Sequence, residues 1–218
     1  MIAPAKQAAL LPQLFGRFGY MENYKVRRAT GNTELQFTRS CSHLAESGGG
    51  RVHGDNHVDV FLDTFRMDHN IALARRLEIE PYTISLSDLL LTKLQIFALE
   101  DKDVRDMVTL LGNAEVAEED APGLINRRHI GALCAEDWGL FHGVATNLQR
   151  VSEDSAALDA TTRTCVLKGA ARLIAALEDA PKGMRWRLRA RIGTRRSWHN
   201  EISDQEDLLR LQHAANES

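Results

Sequence analysis

The sequence predicts an α+β protein, and three observations carry that prediction. Short apolar runs separated by Gly- and Asn-containing turns fill the first part of the chain. From Ser85 onward the apolar residues recur at three- and four-residue spacing instead, the period of helices packed on one face. A late stretch then returns to period two, with arginines alternating against apolar residues.

In chain order, Ala8, Leu11, Leu14, Phe15 and Phe18 predict a helix from Ala5 to Phe18, weakened or restarted at Pro12 and closed by Gly19. Tyr24 to Val26 and Leu35 to Thr38 read as strands on either side of the turn Thr30-Gly31-Asn32-Thr33. Gly48-Gly49-Gly50 reads as a loop, and the turn Gly54-Asp55-Asn56 leads into a strand from Val58 to Leu62. These segments form a mixed, mostly antiparallel sheet. Ser85-x-x-Asp88 has the form of a capping box ahead of a helix from Asp88 to Leu99. After a break at Glu100-Asp101, a second helix runs from Lys102 to Leu111. The acidic loop Glu115 to Pro122 marks a boundary, followed by helices at Asn126 to Cys134, Trp138 to Val151 and Ala157 to Leu177, the last stopped by Pro181. Lys182 to Arg196 reads as an extended basic segment, and Asp204 to Ala214 as a polar closing helix. This divides the chain into an α+β domain over 1–114, a helical segment over 115–181, and a basic strand-like stretch with a terminal helix over 182–218.

Composition narrows the class. The 218 residues are 44% apolar and 26% charged with a formal net charge of -3, ordinary for a globular chain and unlike a wholly basic nucleic-acid coat. Leu89-Leu90-Leu91 is broken by Lys93 and Gln95 long before it could span a bilayer, and Met1-Ile2-Ala3-Pro4 does not begin a signal peptide. Cys41, Cys134 and Cys165 are odd in number and form no C-x-x-C pair, which points to reduced thiols, a cytoplasmic setting and no membrane partner.

The stretch from Val58 to Leu111 holds the residues best suited to chemistry. Asp59 sits inside an apolar strand, where a carboxylate is costly unless it is paired, hydrogen-bonded or metal-bound. Lys93 stands on an otherwise apolar helix, and Asp103 and Asp106 follow three apart, so both can leave one helical face together. A strand carboxylate, a helix lysine and a following aspartate can hold a metal-bound triphosphate. The same residues also admit a structural reading, with Asp59 at a strand end, Lys93 lying along its helix and Lys102 to Asp106 a solvated face.

Leu89-Leu90-Leu91-Thr92-Lys93-Leu94-Gln95, followed by Lys102-Asp103-Val104-Arg105-Asp106-Met107, resembles the third and fourth motifs of abortive-infection-type nucleotidyltransferases. The likeness continues weakly through Cys134 to Gly139 and Arg185 to Arg189. It implies a nucleotidyltransferase-like fold and Mg-dependent transfer of a nucleotidyl group from a nucleoside triphosphate to an RNA, protein or other acceptor. Within the resemblance, Asp59 is the metal-side carboxylate or a structural acid, Lys93 contacts phosphates, and Asp103 or Asp106 orients Lys93 or the acceptor. Such proteins also carry a G-(G/S) helix start and an acidic D-x-D strand. Neither precedes Asp59, and Met1 to Pro4 stand where that strand would end. The expectation is therefore an N-terminally truncated chain with impaired transfer, and its alternative is a non-catalytic domain binding nucleotide, RNA or protein.

Other candidates compete. His53, Asp55, His57 and Asp59 alternate and could ligate zinc or iron, although the turn at Gly54 breaks that alignment. Cys41 with His43 is an i, i+2 pair on a short strand with no sign of an activated thiolate, Asp68-His69 reads as a strand-end turn rather than a dyad, and the helical His129 and His142 show no obvious partner. Arg185, Arg187, Arg189 and Arg191, with Trp186 able to stack on a base, form a candidate nucleic-acid surface. The alternative there is a strand packed on the core through Trp186 and Leu188, its arginines solvated.

Overall fold

The structure, a computed structural model, describes residues 1–39 and 56–200. The described chain forms two compact units: one from residues 1–66 with 72–75, the other from 67–71 with 76 onward.

The first unit is a small sheet with two helices. Strands β1 (Ile2–Ala3), β2 (Met21–Glu22), β3 (Glu34–Arg39) and β4 (Asn56–Leu62) line up in the order β1-β4-β3-β2. β3 is antiparallel to β4 with Leu35 opposite Val60 and Gln36 opposite Asp59, whereas β1 runs parallel to β4. The predicted first helix begins as a 3-10 turn over Ala5–Leu10 and becomes α-helical only in α1 (Leu11–Gly16), because Pro12 is accepted in a first helical turn and nowhere deeper. Gly19, at φ 76, takes the left-handed turn after it. Tyr24 to Val26 is not a strand: α2 (Tyr24–Ala29) forms there, with the Asn23 side chain accepting from the Lys25 N–H. One face of the sheet buries Leu35, Phe37, Val60 and Leu62 against Leu11 and Phe15, and the Phe15 and Phe37 rings stack at 4.1 Å.

Short strands β5 (Thr64–Arg66) and β6 (Asn70–Ala72) follow along the chain. The second unit is then built on helices α3 (Leu86–Leu94), α4 (Asp101–Asn113), α5 (Arg127–Glu136), α6 (Trp138–Asp154), α7 (Ala160–Asp179) and α8 (Met184–Ile192). The long α7 packs on α4, α5 and α6, and its Val166, Ala170, Leu173 and Leu177 are buried. Leu90, Leu91, Leu94, Met107 and Leu111 belong to this helical core. The division at residue 114 is therefore corrected: α3 and α4 join the helices after them because their apolar faces are buried there. The predicted acidic loop opens with strand β7 (Glu115–Ala117), which pairs in parallel with β8 (Leu124–Asn126) just beyond the loop.

The extended reading of Lys182 to Arg196 is also corrected, since Met184–Ile192 is helical. Alternation predicts a strand only when the residues favour one. Met, Arg, Leu and Ala are strong helix formers, and Ile192 alone in α8 is β-branched. α8 is pinned by Trp186, whose Nε1 donates to the Cys134 carbonyl 2.9 Å away and whose ring meets Phe141 edge-on.

The chain after α8 folds back on α6. Trp198 lies against Gly143, and the rings of His142 and Phe97 meet it edge-on at 4.9 and 5.5 Å. A Cβ on Gly139 would collide with the Trp198 carbonyl oxygen, so glycine is required at that contact. Trp138 stacks on His142 at 5.1 Å. All three tryptophans thus lie in the second unit. No helix among the described residues is long and apolar enough to cross a membrane.

Candidate functional site

Lys93 stands in the last turn of α3, a helix fixed at both ends. At its start the Ser85 hydroxyl accepts from the Asp88 N–H. At its end the buried Asn147 amide donates to the Leu94 and Ile96 carbonyls at 2.9 and 2.8 Å, satisfying groups a helix terminus leaves open. α4 begins with a reciprocal cap in which the Glu100 N–H donates to Asp103 Oδ2 at 3.3 Å and the Glu100 side chain accepts from the Asp103 N–H. That cap fixes Asp103. Its other oxygen, Oδ1, accepts from Lys93 Nζ at 3.0 Å, and Asp106, one turn on, takes the same ammonium at 2.8 Å.

The predicted helix lysine and both predicted aspartates therefore meet. Their exposure differs: the Asp103 side chain is 6% exposed, Lys93 26% and Asp106 53%. Burial alone would lower the Lys93 pKa, but hydrogen bonds to Asp106 and Asp103 outweigh it and raise the value above its usual 10.5. Lys93 is a cation throughout the neutral range.

Asp59 lies in the first unit, on β4, with its side chain one-third exposed at 33%. Gln36 Nε2 donates to its Oδ1 at 2.9 Å across the β3–β4 pair, and His57 Nε2 stands 3.4 Å from Oδ2. His53 and Asp55 lie outside the described residues, as do Cys41 and His43. No group of three or more His, Cys, Asp or Glu among the described residues is arranged to hold a metal ion.

All five nucleic-acid candidates lie in α8 and change character with the helix. Arg185, Arg187 and Arg191 are exposed without an ion pair among the described residues, as are Arg195 and Arg196. Arg189 is occupied, donating to the carbonyls of Gly193, Arg196 and Ser197 and lying 4.6 Å over the Trp138 ring. Trp186 is held by Cys134 and Phe141, so its ring does not stand free for a base. A helix also spreads alternate residues around its axis, so the arginines do not share one face.

Two polar clusters went unread in the sequence. Arg76 Nε donates to both Asp88 oxygens at 3.0 and 2.8 Å, its two terminal nitrogens donate to Asp120, and Ser85 and His129 also reach Asp88. His69 pairs through Nδ1 with Asp137 Oδ2 at 3.2 Å, and its backbone N–H donates to the buried Gln95. Ser85-x-x-Asp88 was a visible signal for the first cluster, but nothing local points to Arg76, Asp120 or His129. Comparison with family models, curated proteins and solved structures finds no match for this chain.

Proposed function

We propose that the second unit carries the phosphate-contacting element of a nucleotidyltransferase-type protein, with Lys93 as the cation that meets a nucleoside triphosphate. One observation carries the reading: Lys93 is shared between a fixed carboxylate and a releasable one. Asp103 is buried and tied into the α4 cap, so it orients the ammonium. Asp106 is half exposed, and an exposed ion pair contributes only about 0–1 kcal/mol, so a phosphate oxygen can replace it at little cost. Mg would arrive with the triphosphate and neutralise charge on its phosphates, as a hard cation usually held by one or two carboxylates together with substrate phosphates. The resulting activity is transfer of a nucleotidyl group to an acceptor such as RNA or protein.

Calorimetric titration of the full chain with Mg-ATP and Mg-GTP tests this. Lys93→Ala should weaken binding about tenfold or more, the contribution of a charged hydrogen bond. Asp106→Asn should bind as well as the parent chain or better, since a competing anion is gone. No binding by the folded parent chain, or equal binding by Lys93→Ala, would remove the assignment. Binding without transfer of label from the α-phosphate to any RNA or protein acceptor would leave a nucleotide-binding domain and remove the transferase.

A further inference from the structure

A second place in the helical unit combines a cavity with unneutralised charge. The end of α4, strand β7 and the middle of α7 border an open groove of about 290 Å³, just below the roughly 300–1,000 Å³ typical of small-molecule sites. At this groove α4 and α7 approach closely: a Cβ on Gly169 would stand 3.2 Å from Leu111, and one on Gly112 3.3 Å from Thr162.

One wall is cationic. Cys165, Lys168 and Arg172 follow at three- and four-residue spacing along α7 and all line the groove. Neither Lys168 nor Arg172 has an ion pair or side-chain hydrogen bond among the described residues, and Arg172 is half-buried. A half-buried guanidinium gives up hydration, and here no protein acceptor replaces it. The opposite wall accepts hydrogen bonds: Asn113 and Glu115 line it at the carbonyl end of α4. The Asn113 amide already donates to Thr109, which leaves its oxygen toward further donors.

We propose that this groove binds a small phosphomonoester that also carries hydroxyl groups. Arg172 takes two phosphate oxygens through its planar fork, Lys168 adds a point charge, and Glu115 with the Asn113 oxygen accepts from the hydroxyls. The site is separate from Lys93 and does not rest on the nucleotide reading.

Cys165, exposed at the edge of the groove, supplies the readout. The full chain is alkylated with iodoacetamide and the modification at Cys165 is followed by peptide mass spectrometry, with glycerol 3-phosphate as the probe. Buried Cys134, whose thiol is pushed up to about 12 by desolvation, then by Asp137, reports folding in the same digest because only unfolded chain exposes it. Glycerol 3-phosphate should slow alkylation of Cys165 and leave Cys134 unmodified, whereas glycerol or sodium chloride at the same ionic strength should not. Arg172→Gln and Lys168→Gln should each shift the protection curve about tenfold or more to higher concentration, and Lys93→Ala should leave it in place. No protection at ~10 mM probe, beyond the weak end of specific binding, would overturn the site. Equal protection by sodium chloride, or protection surviving Arg172→Gln with Cys134 still unmodified, would do the same.

Discussion

Two clusters in the helical unit share a formula, one cation between two aspartates, yet they are suited to different tasks. Arg76 spends its whole fork on Asp88, Asp120 and Ser85, and Asp88 is fully buried with Ser85 and His129 also bound to it. Lys93 makes one bond to a buried aspartate and one to an aspartate that is half in water. The first cluster has no capacity left for a ligand. The second has an exchangeable partner, which separates a structural ion pair from a candidate site more clearly than charge or motif does.

Breaking the first cluster should have the largest effect. Arg76→Ala leaves Asp88 buried without its main cation, and removing one partner of a buried pair costs about 3–5 kcal/mol. Chemical denaturation followed by circular dichroism would check this, and a loss below about 1 kcal/mol would show that the pair is not structural. Asp103→Ala comes next. It removes a cap and a lysine partner together, for about 1–3 kcal/mol in the same measurement. Asp106→Asn is the smallest, within about 1 kcal/mol, while its effect on triphosphate affinity should be neutral or favourable. If Asp106→Asn destabilised the chain as much as Asp103→Ala, the contrast between fixed and releasable partners would fail.

Acidity sharpens the same contrast. Burial would raise the Asp88 pKa, but hydrogen bonds from His129, Ser85 and Arg76 prevail and hold it below the usual carboxylate value. A depressed folded pKa contributes stability that is present above the unfolded value and lost as pH falls through the folded one. Stability measured down an acid titration should therefore fall in that range, and less so in Asp88→Asn. Lys93, with its pKa raised, contributes below the unfolded value and loses its contribution only as pH rises through the folded one. Triphosphate affinity should show no loss from Lys93 between neutral and mildly alkaline pH.

Much of the helical unit was legible because its apolar residues keep a helical period over long stretches, as in Trp138 to Val151. Spacing placed Asp103 and Asp106 on one helical face, and the resemblance implied that one of them orients Lys93, which a short connection from α3 to α4 makes possible. α2 was misread because Tyr24 and Val26 favour a strand while the Asn23 cap starts a helix there, and α8 because local pattern and residue propensity disagree. In α8 the alternation of arginine and apolar residues was followed although the residues themselves favour helix. Arg76 was invisible for a different reason: its partners Asp88, Asp120 and His129 are spread along the chain, and only the packed helices bring them together. The groove beside α7 escaped in the same way, because Glu115 and Arg172 come to line one groove only after folding.

The placement of the tryptophans has an optical consequence. Trp138, Trp186 and Trp198 all belong to the second unit, whereas the first contains Tyr20 and Tyr24 and no tryptophan. Excitation at the red edge of indole absorption therefore records the helical unit alone, and Trp198, wedged at Gly139 and Gly143, should be the reporter most sensitive to loosening of the chain after α8. Emission and backbone ellipticity followed through one denaturation would show whether the sheet unit melts with its helical neighbour or apart from it, with no label attached.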